Sequence, residues 1–368
     1  MIQRSASHLL RALLFVGVGF LAACSSNTPD TSYEKLPTLS SLNKARVTVS
    51  GFSSGGYMAN QIHLAHPEEI EGAAIFSAGP WGCAIKGLSH AMMSCMKTTL
   101  QMASLDERMV MLHKASRSGT IGDPALLVDD PVYIFLGQAD TVVAPAVTES
   151  LIGFYQKLVA SYNLRVTTLP NATHGFPTLQ TDAKCGSPSS SHLQNCNFDG
   201  AGEAFTTLYG QLKPASDESQ LSGEIFEFGQ APFFEGRGML DRGYLYIPAS
   251  CKDANNLCQL HVALHGCDQS VEVTGDSFIR NSGFNRWADS NNIVVLYPQA
   301  TKSLTNPKGC WDWWGYASTD YANREGDQIK AVTQLLTSLN NRQSATTSDA
   351  ALGKNTEMNH SIEAKNND

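Results

Sequence analysis

Charge, long apolar runs and metal-binding cysteine spacings are all scarce in this sequence. Only 16% of its 368 residues are charged, the formal net charge is -8, and lysine and arginine form no cluster. Nucleic-acid binding is therefore not expected, because it needs a basic surface. The sequence has no internal repeats, which excludes a solenoid or a propeller. Its nine cysteines include no C-x-x-C pair, so a zinc site, the alternative to disulfides, has little support.

The longest apolar run is short and lies close to the first residue. Arg4 and Arg11 precede an apolar run over residues 12–21, and Leu21-Ala22-Ala23-Cys24 follows. The run is too short for a typical transmembrane helix. Small residues before a cysteine resemble the lipobox of bacterial lipoproteins, so we predict a signal peptide over residues 1–23 and lipidation of Cys24. An ordinary cleaved signal peptide is the alternative.

These features predict an exported protein that is lipid-anchored to the bacterial outer membrane or cell surface; a secreted or periplasmic protein is the alternative. Residues 24–41 are polar and are predicted to be a flexible tether. Residues 42–340 are predicted to form a single catalytic domain, and residues 341–368 a disordered polar tail. The oligomeric state is not predicted.

The other eight cysteines agree with export, because an even number of cysteines in an exported protein indicates disulfides. Short loops favour three pairs and leave a fourth: Cys83–Cys95, Cys185–Cys196, Cys251–Cys258 and Cys267–Cys310.

The central motif is a Gly-x-Ser-x-Gly turn between a strand pattern and a helix pattern. The β-branched run Val47-Thr48-Val49 leads into Gly51-Phe52-Ser53-Ser54-Gly55, and an apolar helical pattern follows at once. Strand, tight turn and helix are the context of a nucleophile elbow. Ser53 is the predicted nucleophile, although a serine- and glycine-rich loop is the simpler alternative.

Two further residues complete a predicted triad. Asp140 follows the strand pattern over residues 131–137, and His174 follows the strand pattern Leu164–Leu169. Strands alternating with helices predict a mostly parallel sheet with helices on both faces, and ligands meet such a sheet at the carboxyl ends of its strands. The order Ser, Asp, His is that of α/β-hydrolases. A loop-capping aspartate and a surface histidine are the alternatives.

The oxyanion hole requires two backbone N–H donors. Ser54, which follows the nucleophile, is expected to supply one. No suitable His-Gly loop precedes Ser53, but Leu264-His265-Gly266-Cys267 lies far downstream. The order becomes ordinary if the α/β-hydrolase fold is circularly permuted, with the strand before the elbow placed first. Cys267 is then the expected second donor, and a Cys267–Cys310 disulfide would lock its loop.

Three segments carry a family resemblance: the elbow at residues 51–56, Leu264-His265-Gly266-Cys267-x-Gln269, and Cys310-Trp311-Asp312-Trp313-Trp314-Gly315. With the permuted order they resemble single-domain poly(3-hydroxybutyrate) depolymerases over roughly residues 42–340. The resemblance implies the triad and oxyanion donors named above. It also implies that a tryptophan among Trp311, Trp313 and Trp314 helps to form the substrate crevice. A packed aromatic corner is the alternative for these rings.

The predicted activity is that of a serine esterase on a polyester or oligoester, with an acyl-enzyme intermediate and no metal or organic cofactor. Two other functions stay open: an esterase for feruloyl or acetyl esters of plant walls, and a surface lipoprotein that keeps the fold only for binding.

Overall fold

The computed structural model describes residues 33–42 and 45–340. The strands of this part are β1 (Val47–Phe52), β2 (Ala73–Phe76), β3 (Val132–Gly137), β4 (Leu164–Leu169), β5 (Phe176–Pro177), β6 (Leu193–Gln194), β7 (Glu224–Gly229), β8 (Arg242–Ile247), β9 (Gln259–Leu264) and β10 (Ile293–Tyr297). The α-helices are α1 (Ser54–Ala65), α2 (Leu88–Ser94), α3 (Leu105–Arg117), α4 (Pro145–Tyr155), α5 (Gly200–Tyr209), α6 (Val271–Thr274), α7 (Ser277–Asn281), α8 (Phe284–Asn291) and α9 (Asp327–Asn340).

Eight strands form one sheet in the order β4-β3-β2-β1-β9-β10-β8-β7. The strands from β4 to β10 in that order are parallel to their neighbours, whereas β8 is antiparallel to both β10 and β7. This arrangement confirms the predicted mostly parallel sheet. Strands β5 and β6 form a separate parallel pair.

Strand β1 lies in the middle of the sheet, between β2 and a strand from the far half of the sequence. In its register Gly51 is level with Ile75 of β2 and with Leu264 of β9. The carboxyl ends of β1 and β9 therefore lie at the same edge of the sheet. The residues that follow these two ends, Ser53 and His265, are brought to one place by this register.

Side chains alternate between the two faces of the sheet, as the two-residue period of a strand requires. Val49 and Ile75 belong to one apolar cluster, together with residues of α1, α4 and α9. Phe52 and Phe76 belong to a second cluster, together with residues of α5, α7 and α8. The sheet is thus the middle layer of a three-layer α/β/α domain, and all six residues of β1 are buried.

The predicted tether is too long. Residues 33–41 pack on the domain: the Leu39 N–H donates to the Leu339 carbonyl (2.9 Å), and the Gly229 N–H donates to the Glu34 carbonyl (2.8 Å). Ser40–Leu42 forms a short 3-10 helix, and Leu42 is fully buried. Polar composition concealed this packing, because it does not show that two leucines, the backbone and the side chains of Tyr33, Thr38 and Ser41 find partners on the domain. The predicted signal peptide, Cys24, residues 24–32 and the tail over residues 341–368 lie outside the described residues.

Four disulfides staple the domain, as the even cysteine count indicated: Cys83–Cys95, Cys185–Cys196, Cys251–Cys258 and Cys267–Cys310. Cys83–Cys95 closes a loop in the segment between β2 and β3, which also holds α2 and α3. Among the described residues, no helix combines the length and apolar character that crossing a bilayer requires.

Candidate active site

The turn between β1 and α1 holds Ser53 in a rare backbone conformation. Its φ is 55° and its ψ is -119°, a region that non-glycine residues seldom adopt and that often marks functional turns. The turn is held by two backbone hydrogen bonds, from the Ser53 N–H to the Phe76 carbonyl (2.9 Å) and from the Tyr57 N–H to the Ser53 carbonyl (3.0 Å). The strand, turn and helix thus have the geometry of a nucleophile elbow.

The two glycines of the motif are needed for close backbone approach. A Cβ on Gly51 would lie 2.7 Å from the Gly56 nitrogen, inside the turn itself. A Cβ on Gly55 would lie 2.5 Å from the His265 carbonyl oxygen, beyond the end of β9. Real Cβ atoms essentially never come within 3.0 Å of such atoms. Gly55 therefore lets the start of α1 pack directly against the loop that follows β9.

Ser53, His174 and Asp140 form a continuous chain of hydrogen bonds. The Ser53 Oγ lies 2.8 Å from the His174 Nε2, and the His174 Nδ1 lies 2.7 Å from the Asp140 Oδ2. An aspartate on Nδ1 favours the tautomer whose Nε2 accepts a proton from the serine hydroxyl. This arrangement is suited to deprotonating Ser53 during attack on a carbonyl carbon.

Asp140 is held from behind by backbone groups. Its Oδ1 accepts hydrogen bonds from the N–H groups of Val142 (2.8 Å) and Val143 (2.9 Å), which leaves Oδ2 directed at His174. The Asp140 residue is 5% exposed. Because a buried carboxylate needs several donors, these contacts fix the carboxylate orientation that the histidine requires.

The face of the His174 ring packs near the Phe52 ring, with centroids 4.8 Å apart. His192 lies close enough to affect the electrostatics of this region. Burial and the nearby His174 lower the pKa of His192, and the Asp268 carboxylate partly opposes this shift. A lowered pKa favours the neutral form of His192, which avoids a second positive charge beside His174 when that ring is protonated.

The loop after β9, in which the sequence predicts the second oxyanion donor, lies against the elbow. A Cβ on Gly266 would be 2.8 Å from the Phe52 ring. The Gly266 N–H donates to the Gln269 Oε1 (2.6 Å), and Cys267 is joined to Cys310. Ser54 opens α1, where the first N–H groups have no intrahelical partner and the helix dipole favours negative charge. Two N–H groups, of Ser54 and Cys267, are thus placed on adjoining backbone segments.

His265 is a structural part of this loop. Its Nδ1 lies 2.7 Å from the Gly266 carbonyl oxygen, and its Nε2 accepts a hydrogen bond from the Ala300 N–H (3.1 Å). Burial lowers the pKa of His265 to about 4, which keeps the ring neutral near pH 7. The tautomer with a proton on Nδ1 satisfies both partners.

The tryptophan segment is folded around one carboxylate. Asp312 is buried, and its two oxygens accept hydrogen bonds from the backbone N–H groups of residues 314–318 at 2.7–3.4 Å. Burial raises the pKa of Asp312, and the backbone N–H groups of Gly315 to Ser318 oppose this shift. The segment is therefore a compact turn, joined to the loop after β9 by the Cys267–Cys310 disulfide.

The three tryptophans, among which the sequence left the crevice role open, differ in exposure. Trp311 is 0% exposed and packs near His265 with ring centroids 5.5 Å apart. A fully buried ring is part of the core, so Trp311 does not line a crevice. Trp313 is 6% exposed and stacks on Tyr57 at 4.1 Å, whereas Trp314 is half-buried. The sequence did not distinguish these positions, because buried and exposed residues follow no regular period in a tight turn.

Two histidines at the far end of α1, His63 and His66, make contacts away from Ser53. The His63 Nε2 lies 3.1 Å from the Asp130 Oδ2, and its Nδ1 lies 3.0 Å from the Tyr155 hydroxyl. His66, with Glu68 and Glu69, forms a group whose possible ligand atoms lie within 4.8 Å of one another. Arg324 donates to the Glu68 Oε1, so the guanidinium already supplies the positive charge there.

One residue that contacts the backbone on both sides of His174 carries no recognisable signal in the sequence. Gln194 of β6 is hydrogen-bonded to Thr173 and to Gly175. A strand of two residues carries no periodic signal, and glutamine belongs to no catalytic motif. Only the folded domain shows that the Gln194 side chain lies beside the turn that carries His174.

The fold and this site define an α/β-hydrolase of the carboxylic ester hydrolase class. No protein-family model matches the chain. The chain is 35% identical over 303 residues to "Poly(3-hydroxybutyrate) depolymerase" of Delftia acidovorans, a match that covers 82% of this chain and 60% of that protein's length. It is 36% identical over 306 residues to "Polyhydroxybutyrate depolymerase" of Talaromyces funiculosus, a match that covers 79% of this chain and 88% of the relative.

Solved structures give the same result. The crystal structure of PHB depolymerase from Penicillium funiculosum matches with a TM-score of 0.78 and 35% identity, and covers 83% of this chain and 99% of that one. A serine-to-alanine variant of PHB depolymerase complexed with an R3HB trimer matches with a TM-score of 0.78 and 34% identity, over the same shares of the two chains. The chain belongs to the poly(3-hydroxybutyrate) depolymerase family.

Proposed function

We propose that the protein is a serine esterase that hydrolyses poly(3-hydroxybutyrate) or its oligomers. The observation that carries the proposal is the hydrogen-bond chain from Ser53 through His174 to Asp140, with distances of 2.8 and 2.7 Å, at the tip of the elbow. The substrate class is supported by the names of the relatives and by the R3HB trimer in the similar structure.

The reaction has two halves. His174 accepts the Ser53 hydroxyl proton while Oγ bonds to the ester carbonyl carbon, and the N–H groups of Ser54 and Cys267 stabilise the resulting oxyanion. The tetrahedral intermediate collapses, and the leaving alkoxide takes the proton from His174, which gives an acyl-enzyme. Water then loses a proton to His174 and attacks the acyl carbon, and Ser53 leaves with that proton. Asp140 orients the imidazole and stabilises its charged form.

The tryptophan segment is proposed to form a wall of the substrate crevice, with Trp314 as its partly exposed ring and Trp313 packed behind it. Trp314 is half-buried, so part of its ring is open to solvent. An apolar wall suits an ester chain with methyl branches.

The test uses amorphous polymer and a covalent probe. We expect wild-type protein to release 3-hydroxybutyrate or its oligomers and to be labelled by a fluorophosphonate at Ser53. Ser53→Ala should lose both activities while circular dichroism shows an intact fold. The matched control is Ser77→Ala, because Ser77 also follows a strand at positive φ (48°). Release of ferulate or acetate, with no release of 3-hydroxybutyrate, would contradict the proposed substrate. Absence of labelling would refute the enzyme assignment.

Export and lipid anchoring are also proposed, on the sequence alone. Cys24 follows Leu21-Ala22-Ala23 and an apolar run with preceding arginines. Incorporation of a labelled fatty acid into wild-type protein, and its loss in Cys24→Ala, is the expected result. Wild-type protein that takes up no label and is recovered without detergent would favour a secreted or periplasmic enzyme.

The circular permutation is proposed from the positions of the domain ends. Leu39 and Leu339 are joined by a backbone hydrogen bond, and the strand order places the second half of the domain, β7 to β10, beside β1. A chain in which the two ends are linked and a new start is made between α5 and β7 should fold and keep esterase activity. Failure of that chain to fold would contradict the proposal.

A further inference from the structure

Gln194 is a buried amide that contacts the turn carrying His174. The residue is 1% exposed. Its Nε2 donates hydrogen bonds to the carbonyl oxygens of Thr173 (2.9 Å) and Gly175 (2.7 Å), and its Oε1 accepts one from the Thr173 N–H (3.2 Å). One side chain therefore binds the backbone on both sides of His174.

The contacted backbone is a tight turn. The Gly175 N–H donates to the Thr173 carbonyl (2.9 Å), which makes His174 the central residue of a three-residue turn. Such a turn has few hydrogen bonds of its own, so its conformation depends on outside partners. Gly175 leaves room for the amide: a Cβ there would lie 3.2 Å from the Gln194 side chain.

The chemistry of these contacts selects glutamine. Two carbonyl oxygens face one group and an N–H faces the other, so the site needs two donors and an acceptor at the end of a side chain of this length. A glutamate would direct an oxygen at two carbonyls, and a methionine would leave all three backbone groups without these partners.

Gln194 is itself held firmly. The Thr178 N–H donates to the Gln194 carbonyl (2.9 Å), and the Phe176 N–H donates to the His192 carbonyl (2.8 Å), which fastens β6 to β5. Two residues after Gln194, Cys196 forms its disulfide with Cys185. The amide is thus presented by a rigid support and not by a free loop.

We infer that Gln194 is a positioning residue for His174: it holds the turn at Thr173–Gly175 so that the imidazole reaches both Ser53 and Asp140. The inference rests on the proposed function, in which His174 is the base. Geometric errors near 1 Å can reduce the rate of an enzymatic step about 100-fold. The Ser53–His174 separation of 2.8 Å leaves little room for such a shift.

The experiment compares two buried glutamines. Gln194→Met removes the hydrogen bonds to the turn and keeps a similar volume. The control is Gln230→Met, because the Gln230 Nε2 also donates to two carbonyls, of Leu240 (2.5 Å) and Gln299 (2.7 Å), and its Oε1 accepts from the Gln299 N–H (3.2 Å). Gln230 is 1% exposed and belongs to the region of β7 and β8.

We expect both variants to lose similar stability, since both lose the same kind of buried hydrogen bonds. Only Gln194→Met should show kcat for a soluble short-chain ester reduced about 10- to 100-fold, with KM little changed and fluorophosphonate labelling slowed to a similar degree. Gln194→Asn keeps an amide but is one methylene shorter, so its kcat should lie between the kcat of Gln194→Met and that of Gln230→Met.

Equal kcat values in the two methionine variants, or a Gln194→Asn protein with wild-type kcat, would overturn the inference. Failure of Gln194→Met to fold leaves the Gln194→Asn measurement to decide. If the proposed function is wrong, the result differs: the wild-type protein itself shows neither ester hydrolysis nor labelling at Ser53.

Discussion

The close approach of α1 to the loop after β9 can be tested with one methyl group. In Gly55→Ala the added Cβ would lie 2.5 Å from the His265 carbonyl oxygen and 2.8 Å from the Leu264 carbonyl carbon. Both are backbone atoms at the end of a central strand, so no side chain can rotate away. The Leu264 carbonyl oxygen would be closer still, so restoring a separation of 3.0 Å requires a movement of more than about 0.5 Å between the elbow and the loop after β9.

That movement has consequences for stability and for activity. Overpacking of a tight interior typically costs about 1–3 kcal/mol of unfolding free energy. Displacement of the loop that carries Cys267, the proposed oxyanion donor, relative to Ser53 should reduce kcat/KM about 10- to 100-fold, because catalytic geometry tolerates less than 1 Å. Denaturant unfolding measures the stability loss, and hydrolysis of a soluble p-nitrophenyl ester measures kcat/KM.

The matched control is Gly153→Ala in α4. A Cβ at Gly153 has its nearest neighbour, the Leu105 Cδ2, at 4.0 Å, so it fits without displacement. Replacing a helical glycine by alanine should stabilise the protein by about 0.4–1 kcal/mol, with unchanged kcat/KM. A Gly55→Ala enzyme with wild-type stability and activity would refute the reasoning, as would an equal loss in both variants.

Three further changes test other parts of the structure. Burial lowers the pKa of His261 to about 3, so between pH 6.5 and 3 the unfolded chain binds a proton that the native ring does not, and stability falls as the pH falls. His261→Asn should therefore reduce the slope of unfolding free energy against pH by about 1.4 kcal/mol per unit near pH 5; an unchanged slope would show that the ring does not stay neutral. Asp312→Ala leaves several buried N–H groups without an acceptor and should destabilise the protein by about 3 kcal/mol or more. Its KM should rise more for a hydroxybutyrate oligomer than for a small soluble ester. Equal rises in KM for the two substrates would show that this turn does not shape the crevice. Replacing the Cys267–Cys310 pair by alanines should lower kcat, while circular dichroism shows an intact fold. The same change at Cys251–Cys258, at the opposite end of β9, should lower stability but not kcat. Equal kcat values in the two double variants would contradict the locking role of Cys267–Cys310.

Much of the fold was predictable because the signals are local. Strand β4 has the predicted bounds, Leu164–Leu169, and strand β3 (Val132–Gly137) lies within the strand predicted over residues 131–137, since an apolar run between turn residues marks a strand directly. The elbow was recognisable for the same reason. Its glycines, serine and flanking strand lie within about ten residues, and their geometric demands are imposed by the neighbouring backbone.

Other predictions failed where tertiary packing overrides composition. Residues 33–41 are polar on average, yet Leu39 and its neighbours find partners at the far end of the domain. Trp311 and Trp314 are similar in sequence context, but one is completely buried and the other is not. Exposure in irregular segments depends on which surface covers them, and that surface comes from distant parts of the chain.

The sequence by itself determined which groups are available for the chemistry: a serine on a strained turn, then an aspartate and a histidine, each placed just after a strand. Only the tertiary structure decided how these groups meet. The register of β9 against β1 brings the loop that contains Cys267 to the elbow, and Gln194 reaches the His174 turn from a strand of two residues. Local patterns are set by nearest neighbours along the chain, whereas distances of 2.7–2.8 Å between remote side chains arise only when the whole sheet has formed.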